Sequence, residues 1–362
     1  MSGDDAGGLA PAPPYLRPMK IWIVHAFTDR VFTGNPAGVV PLDRWLPDAT
    51  LQAIATENNL SETAFFVPTG LKGNYQLRWF TPSAEVSLCG HATLAAGAML
   101  LSELEPSLEV VVFDTHAGAL IVRTTPEGYT LDLPRVQRTQ WTPQPDLLAA
   151  LGNPTVHDAF VAGYATIVLD NETAVRKLRP DFAAVNRLVR GPKQGCLSVT
   201  APADEGKPYD FISRFFAPGV GINEDPVTGS AFADVAPYWC DRFDMESVVG
   251  YQASARGGYV RAIQTLSSVR LLGQVSVYIR GELDASISRL SNRIEAPDAP
   301  QRKKRRGRRT LPPIFEEPTL PGMDMTPPEG PATPPPPPTS HPTPPAEAET
   351  HAPPRIVASD PK

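Results

Sequence analysis

The run EVSLCGHATLAAG (residues 85–97) sets a thiol, a glycine and an imidazole side by side as Cys89, Gly90 and His91. They fall where a strand-like pattern gives way to a small-residue helical one. A helix N-terminus carries free backbone N–H groups and a partial positive charge. Gly90 would let an anion approach those groups closely. A second corner of the same kind follows the cluster Asn223-Glu224-Asp225-Pro226-Val227-Thr228, where Gly229 and Ser230 open another helical pattern. Two facing corners would make a pocket for a small carboxylate. Glu62, among Leu60, Ala64, Phe65 and Phe66, is the proton carrier to test: burial raises a carboxyl pKa towards neutrality. His91 at a helix start is expected to stay neutral and to donate or accept a proton. Asp225, Thr228 and Ser230 offer hydrogen bonds to a substrate. Each residue also has a plainer reading: glycines for tight turns, Asp, Thr and Ser as helix caps, Glu62 facing water, Cys89 as a buried, inert small hydrophobe rather than an acid/base thiol.

The elements that must hold these residues read as strands with few helices between them. IWIVHAF (21–27), ETAFFV (62–67), YQLRWFT (75–81), LEVVVFDT (108–115), ALIVRTT (119–125) and YTLDLP (129–134) are β-rich. Helical spacing marks 48–60, with Asp48 as its N-cap, and 91–104. The second half repeats the order: a strand pair over 159–169, two short helices, strands over 196–202 and 211–217, a helix over 228–243 that Pro237 should kink, and closing strands over 259–283. Arg78-Trp79-Phe80-Thr81-Pro82 is matched by Arg214-Phe215-Phe216-Ala217-Pro218, and Gly90-His91-Ala92 by Gly229-Ser230-Ala231. A duplicated αβ unit with barrel-like, largely antiparallel sheets follows, rather than alternating βαβ.

A net charge of −6 gives no general attraction to nucleic acid or membrane, and no apolar run approaches a membrane span. The first residues do not read as a secretory signal. Cys89, Cys196 and Cys240 show neither metal nor disulfide spacing, so a reduced, cytoplasmic setting is expected. After Leu283 the character changes. QRKKRRGRRT (301–310) is densely basic, and 18 of the 42 prolines fall in residues 311–362. Such a tail cannot bury enough apolar surface to order itself. It reads as a solvated extension, as a nuclear-localisation or polyanion-binding run, or as an SH3- or WW-type ligand at PPPPP.

NPAGVV, NNLSETAFFV, FTPSAEVSLCGHATLAAG, EDPVTGSA, APYW and YQASARGG, in this order, resemble the phenazine-biosynthesis isomerase (PhzF-like) family over about residues 20–284. The resemblance implies an α+β fold of diaminopimelate epimerase type: two pseudo-symmetric halves, each a barrel-like sheet around a central helix, with the site between them. The expected organisation is a disordered N-terminus over 1–18, a first half over 19–135, a second over 136–284 and a disordered tail over 285–362. The resemblance further implies a homodimer with no cofactor and no metal, acting as an isomerase on a small carboxylic acid. Glu62 is its base and acid, with His91 and Asp225 as catalytic partners. Asn35, Cys89, Gly90, Thr228, Gly229 and Ser230 line the substrate. Two departures bear on activity: His25 stands where the family often has Asp, and Phe232 follows TGSA. Where the second half would carry the thiol matching Cys89 it has Asp225-Pro226-Val227, which disfavours a two-cysteine racemase. The alternative reading is a catalytically silent member that binds partners through its fold or its tail.

Overall fold

The computed structural model describes residues 18–190 and 193–287. The expectations of disorder for the N-terminus and for the basic, proline-rich tail lie outside those residues, apart from the first positions of the tail.

The first half contains β1 (Met19–Ala26), β2 (Asn35–Pro41), α1 (Asp48–Asn58), β3 (Glu62–Pro68), β4 (Asn74–Phe80), β5 (Glu85–Val86) and α2 (Gly90–Met99). A π-helical turn at Leu100–Leu104 extends α2, and β6 (Val110–Thr115), β7 (Gly118–Thr125) and β8 (Gly128–Pro134) follow. The second half contains β9 (Thr139–Gln140), α3 (Pro145–Ala150), β10 (Val156–Val161), β11 (Ala165–Leu169), α4 (Glu172–Lys177), α5 (Phe182–Leu188), β12 (Leu197–Pro202) and β13 (Phe211–Ala217). It continues through β14 (Ile222–Asp225), α6 (Gly229–Phe243), β15 (Ser247–Gln252), β16 (Gly258–Gln264) and β17 (Ser268–Gly273) to β18 (Val275–Leu283).

Strand pairing shows the duplication directly. In the first half β1–β2 is antiparallel, β2–β3 parallel, β3–β4 antiparallel, β4–β6 parallel, and β6–β7–β8 antiparallel. In the second half β10–β11, β11–β12, β12–β13, β13–β15 and β15–β16–β17 repeat those senses in that order. The halves join where β8 runs antiparallel to β17. β18 follows the second half in sequence but pairs along its length with β1, as β9 pairs with β10. Each half therefore carries an outer strand drawn from beyond its own sequence repeat.

The repeat extends to ion pairs. Arg78 on β4 forks onto Glu85 with two 2.7 Å bonds. Arg214 on β13 forks onto Glu224 at 2.7 and 2.8 Å. Each fork ties the strand before the loop to the stub strand, β5 or β14, that leads into the central helix; planar guanidinium and carboxylate groups match in this geometry. Asp48 also reaches Arg78, at 2.9 Å. It is the first residue of α1 rather than its cap, because Pro47 occupies the N-cap position.

All ten residues of α2 are buried, which is how a helix apolar on every side must sit. It packs against β1, β2, β3, β7 and β8, and α6 against β8, β12, β15, β16 and β17. α6 runs as one helix of 15 residues through Pro237. Within it Trp239 stacks on Phe211 with centroids 5.8 Å apart, and its Nε1 donates to Thr200 Oγ1 at 2.9 Å. Strands β9, β14 and β15 and helix α3 have no counterpart in the sequence reading. Among the described residues no helix is long and apolar enough to cross a membrane.

The small residues of α2 set how closely the sheet wraps it. A Cβ on Gly97 would lie 2.5 Å from Val122 Cγ1 and 2.8 Å from Cγ2. Gly→Ala within a helix ordinarily gains about 0.5–1 kcal/mol. Gly97→Ala is expected instead to lose about 1–3 kcal/mol through overpacking. Urea unfolding reads the sign, and a stabilised variant would contradict the close packing of α2 on β7.

Candidate active site

Gly90 and Gly229 bring the two central helices together at their N-termini. A Cβ on Gly90 would stand 3.6 Å from Gly229 Cα and 3.7 Å from the Ser230 nitrogen. Neither helix is capped by a side chain. Thr228, the N-cap of α6, instead donates its hydroxyl to Asp225 Oδ2. The peripheral helices α4 and α5 are capped conventionally, by Asn171 and Asp181. Two buried helix starts without a side-chain cap thus abut, and their like-signed dipole ends favour negative charge between them.

Glu62 opens β3 beside this junction, half-buried with its side chain 14% exposed. Its Oε2 lies 3.1 Å from His91 Nε2, yet it accepts no well-aligned hydrogen bond among the described residues and is shielded from solvent. The contact pairs the Glu62 carboxylate with the His91 ring.

Asn35, fully buried at the start of β2, ties the halves together. Its Nδ2 lies 3.0 Å from Asp225 Oδ1, 2.9 Å from the Val227 carbonyl and 3.1 Å from His91 Nδ1. Its Oδ1 accepts from Ser61 Oγ at 2.9 Å. An amide nitrogen has only two hydrogens, and the two oxygens across the seam suit them best. His91 Nδ1 then has Cys89 Sγ, 3.4 Å away, as a partner for its own proton. The turn before Asn35 requires Gly34: its φ is +68°, and a Cβ would fall 2.3 Å from the Ala26 carbonyl oxygen. Arg256 of the second half donates to Gly34 O at 2.8 Å and to Thr33 O at 3.1 Å.

Burial works against a charge on His91, but Cys89 and Glu62 beside it work for one, and the imidazole pKa stands well above its ordinary value. This corrects the expectation of a neutral His91, which weighed only the helix terminus and lacked the two neighbours. Burial, with Glu62 next, pushes the Cys89 thiol up to about 11. Burial raises Asp225 to about 6, partly opposed by His91. Ligand atoms of Glu62, Cys89 and His91 lie within 4.8 Å of one another, types that suit zinc. A metal there would have to displace the proton that burial holds on Cys89.

The structure gathers Glu62, Cys89, Gly90 and His91 from the first half and Asp225, Thr228, Gly229 and Ser230 from the second around one seam, with Asn35 bridging them. Asn35 faces protein on all its polar atoms. The two departures from the family pattern lie elsewhere. Phe232 is buried against Phe211, with centroids 5.7 Å apart, in the core of the second half. His25 accepts the Phe32 N–H at 3.1 Å and stacks on Tyr278. Burial, then Arg256, lowers its pKa to about 4.

Sequence reasoning missed Gln252, whose amide accepts from Thr228 N at 2.9 Å and donates to Asp225 O at 2.7 Å. It lies within the YQASARGG segment, but nothing in that string marks the buried amide as the brace of a distant loop. Ser61, Tyr164 and Lys193 were also missed.

The duplicated αβ architecture belongs to the epimerase-like class of folds. A predicted epimerase of Pseudomonas aeruginosa shares this fold at 23% identity, with a TM-score of 0.58 over 73% of this chain and 99% of that one. The chain belongs to the phenazine biosynthesis-like (PhzC-PhzF) protein family, whose model matches residues 24–283. It is 44% identical over 266 residues to an uncharacterized isomerase of P. aeruginosa, covering 73% of this chain and 98% of that one. The crystal structure of a PhzF-family phenazine biosynthesis protein from Enterococcus faecalis matches with a TM-score of 0.69 and 40% identity, over 74% of this chain and 99% of that one.

The raised pKa of Asp225 fixes the sign of a stability effect. Between the ordinary value of 3.8 and the folded value of about 6 the native state holds a proton that the unfolded chain has released. Stability from this group is full below 3.8 and is lost as pH rises to about 6. The stability of the wild type relative to Asp225→Asn should therefore fall by up to about 1.4 kcal/mol per pH unit across that window and stay level above it. Denaturant titrations at a series of pH values measure the difference.

Proposed function

We propose that this protein is a cofactor-independent isomerase that moves a proton on a small carboxylic acid, with Glu62 as its base. The observation that carries the reading is the Glu62 carboxylate, solvent-shielded at Oε2 and 3.1 Å from His91 Nε2, set beside two abutting helix N-termini that no side chain caps. The substrate carboxylate lies against the N–H groups of those termini. Glu62 takes a proton from the carbon next to it, and the electron pair left behind spreads towards that carboxylate. The helix N–H groups and the His91 proton stabilise the negative charge as it develops, which is where preorganised donors act most strongly. The proton returns from Glu62, or from His91, to a carbon of the same molecule, so the overall change is an isomerisation.

A single base on one face favours a double-bond shift over a two-base inversion. Both Asp225 oxygens are engaged, by Asn35 and by Thr228. Cys240 lies inside α6, and Cys196 precedes β12; neither stands at the start of α6 as Cys89 does at that of α2. The relatives named as isomerases support the class of reaction. The homodimer expected from the family resemblance belongs to the same proposal.

The test is deuterium incorporation from D2O into a panel of cyclohexadiene carboxylic acids and α-amino acids, followed by mass spectrometry. Wild type is expected to exchange at least one of them. Glu62→Gln should lower that rate by about 100-fold or more, and Cys89→Ala should keep it within about tenfold. Unchanged exchange in Glu62→Gln removes the base assigned here. Loss of exchange in Cys89→Ala makes the thiol a reagent.

A further inference from the structure

Next to the start of α6, three side chains form a directed chain. Tyr164 lies in the turn between β10 and β11. Its backbone N–H donates to Asp234 Oδ2 at 2.8 Å. That carboxylate also packs against Gly163, where a Cβ would fall 2.8 Å from Oδ2, so Asp234 and Gly163 together fix the turn. Tyr164 is 7% exposed, and its ring meets Phe215 edge-on at 4.8 Å. Its hydroxyl lies 2.9 Å from Ser230 Oγ and 3.0 Å from Lys193 Nζ. The Lys193 ammonium also sits 4.7 Å from the Tyr164 ring centroid.

Donor counting gives the chain a direction. An ammonium has no lone pair, so Lys193 must donate to the phenol oxygen. The phenol has one hydrogen, which then goes to Ser230 Oγ. Ser230 has no other hydrogen-bond partner among the described residues, so its own hydrogen is left to donate outward. The Ser230 nitrogen is the one that lies 3.7 Å from the Cβ position of Gly90, so the residue that carries this hydroxyl stands at the junction of the helix starts. Charge counting agrees. Glu62 and Asp225 already bring two acids to the seam and His91 balances one. Lys193 forms no salt bridge among the described residues, and the Asp234 carboxylate acts on it only at longer range.

We propose that Lys193 and Tyr164 are substrate-specificity residues: they polarise the Ser230 hydroxyl into a donor and supply positive charge for the carboxylate of an anionic substrate. This rests on the reading of the site as one for a small carboxylic acid, and it restricts that substrate to acids bound in the ionised form. A neutral amide of the same shape, which presents N–H hydrogens of its own, is rejected.

Calorimetric titration with benzoate and with benzamide tests this without turnover. Wild type should prefer benzoate by about tenfold or more, the scale of a hydrogen bond to a charged group. Lys193→Met should erase the preference, Tyr164→Phe should reduce it, and Lys193→Arg should keep most of it, with unchanged thermal unfolding. Lys193→Met that keeps the wild-type ratio overturns the proposal. So does a wild type with no preference, or with no binding of benzoate. Glu62→Gln should retain the preference. A failed exchange experiment at Glu62 and a failed preference at Lys193 are therefore separate results.

Discussion

Two helix N-termini abut at the centre of this molecule, and neither is capped by its own side chains. Free N–H groups and the positive ends of two dipoles are brought within van der Waals reach of each other. A Cβ at Gly90 would stand 3.6 Å from the Gly229 Cα, in ordinary van der Waals contact with the start of the other helix. Negative charge must gather at such a point. The protein supplies part of it through Glu62 and Asp225, and the remaining N–H groups suit an anionic guest.

The duplicated architecture exists to hold that junction. Each half surrounds its central helix with the same succession of parallel and antiparallel strands. Each fastens the approach to that helix with an Arg–Glu fork. Contacts across the seam break the symmetry productively. Asn35 from the first half grips Asp225 and Val227 of the second, and Arg256 of the second grips the turn that presents Asn35. The halves are alike in fold but not in chemistry: α2 begins with Cys89 and His91 beside Glu62, and α6 with Thr228 and Ser230 beside Asp225.

The electrostatics follow from this arrangement. Burial alone would strip the charge from every ionisable group at the seam. It does raise Cys89 and Asp225, but His91 moves the other way because Cys89 and Glu62 stand against its ring. His91 and Glu62 thus stand as a charge-coupled pair within the seam.

The sequence by itself determined the duplication, the order of most elements and the residues at the two corners. Each of these is written locally. The strand-to-helix change at Gly90 and Gly229, the matched Arg-aromatic-Phe runs and the LSETAFFV carboxylate are all patterns within a few neighbouring residues. Tertiary structure alone decided what pairing distant segments decides. β18 crosses to β1, Asp48 gives up its cap for Arg78, and Phe232 turns into the core and away from the site. Gln252 braces Asp225 from a strand the sequence did not show, and Tyr164 reaches Ser230 from one loop while Lys193 reaches Tyr164 from another. The charge of His91 belongs to the same class. A pKa depends on which groups lie within a few ångströms, and those groups come from positions that only folding makes neighbours.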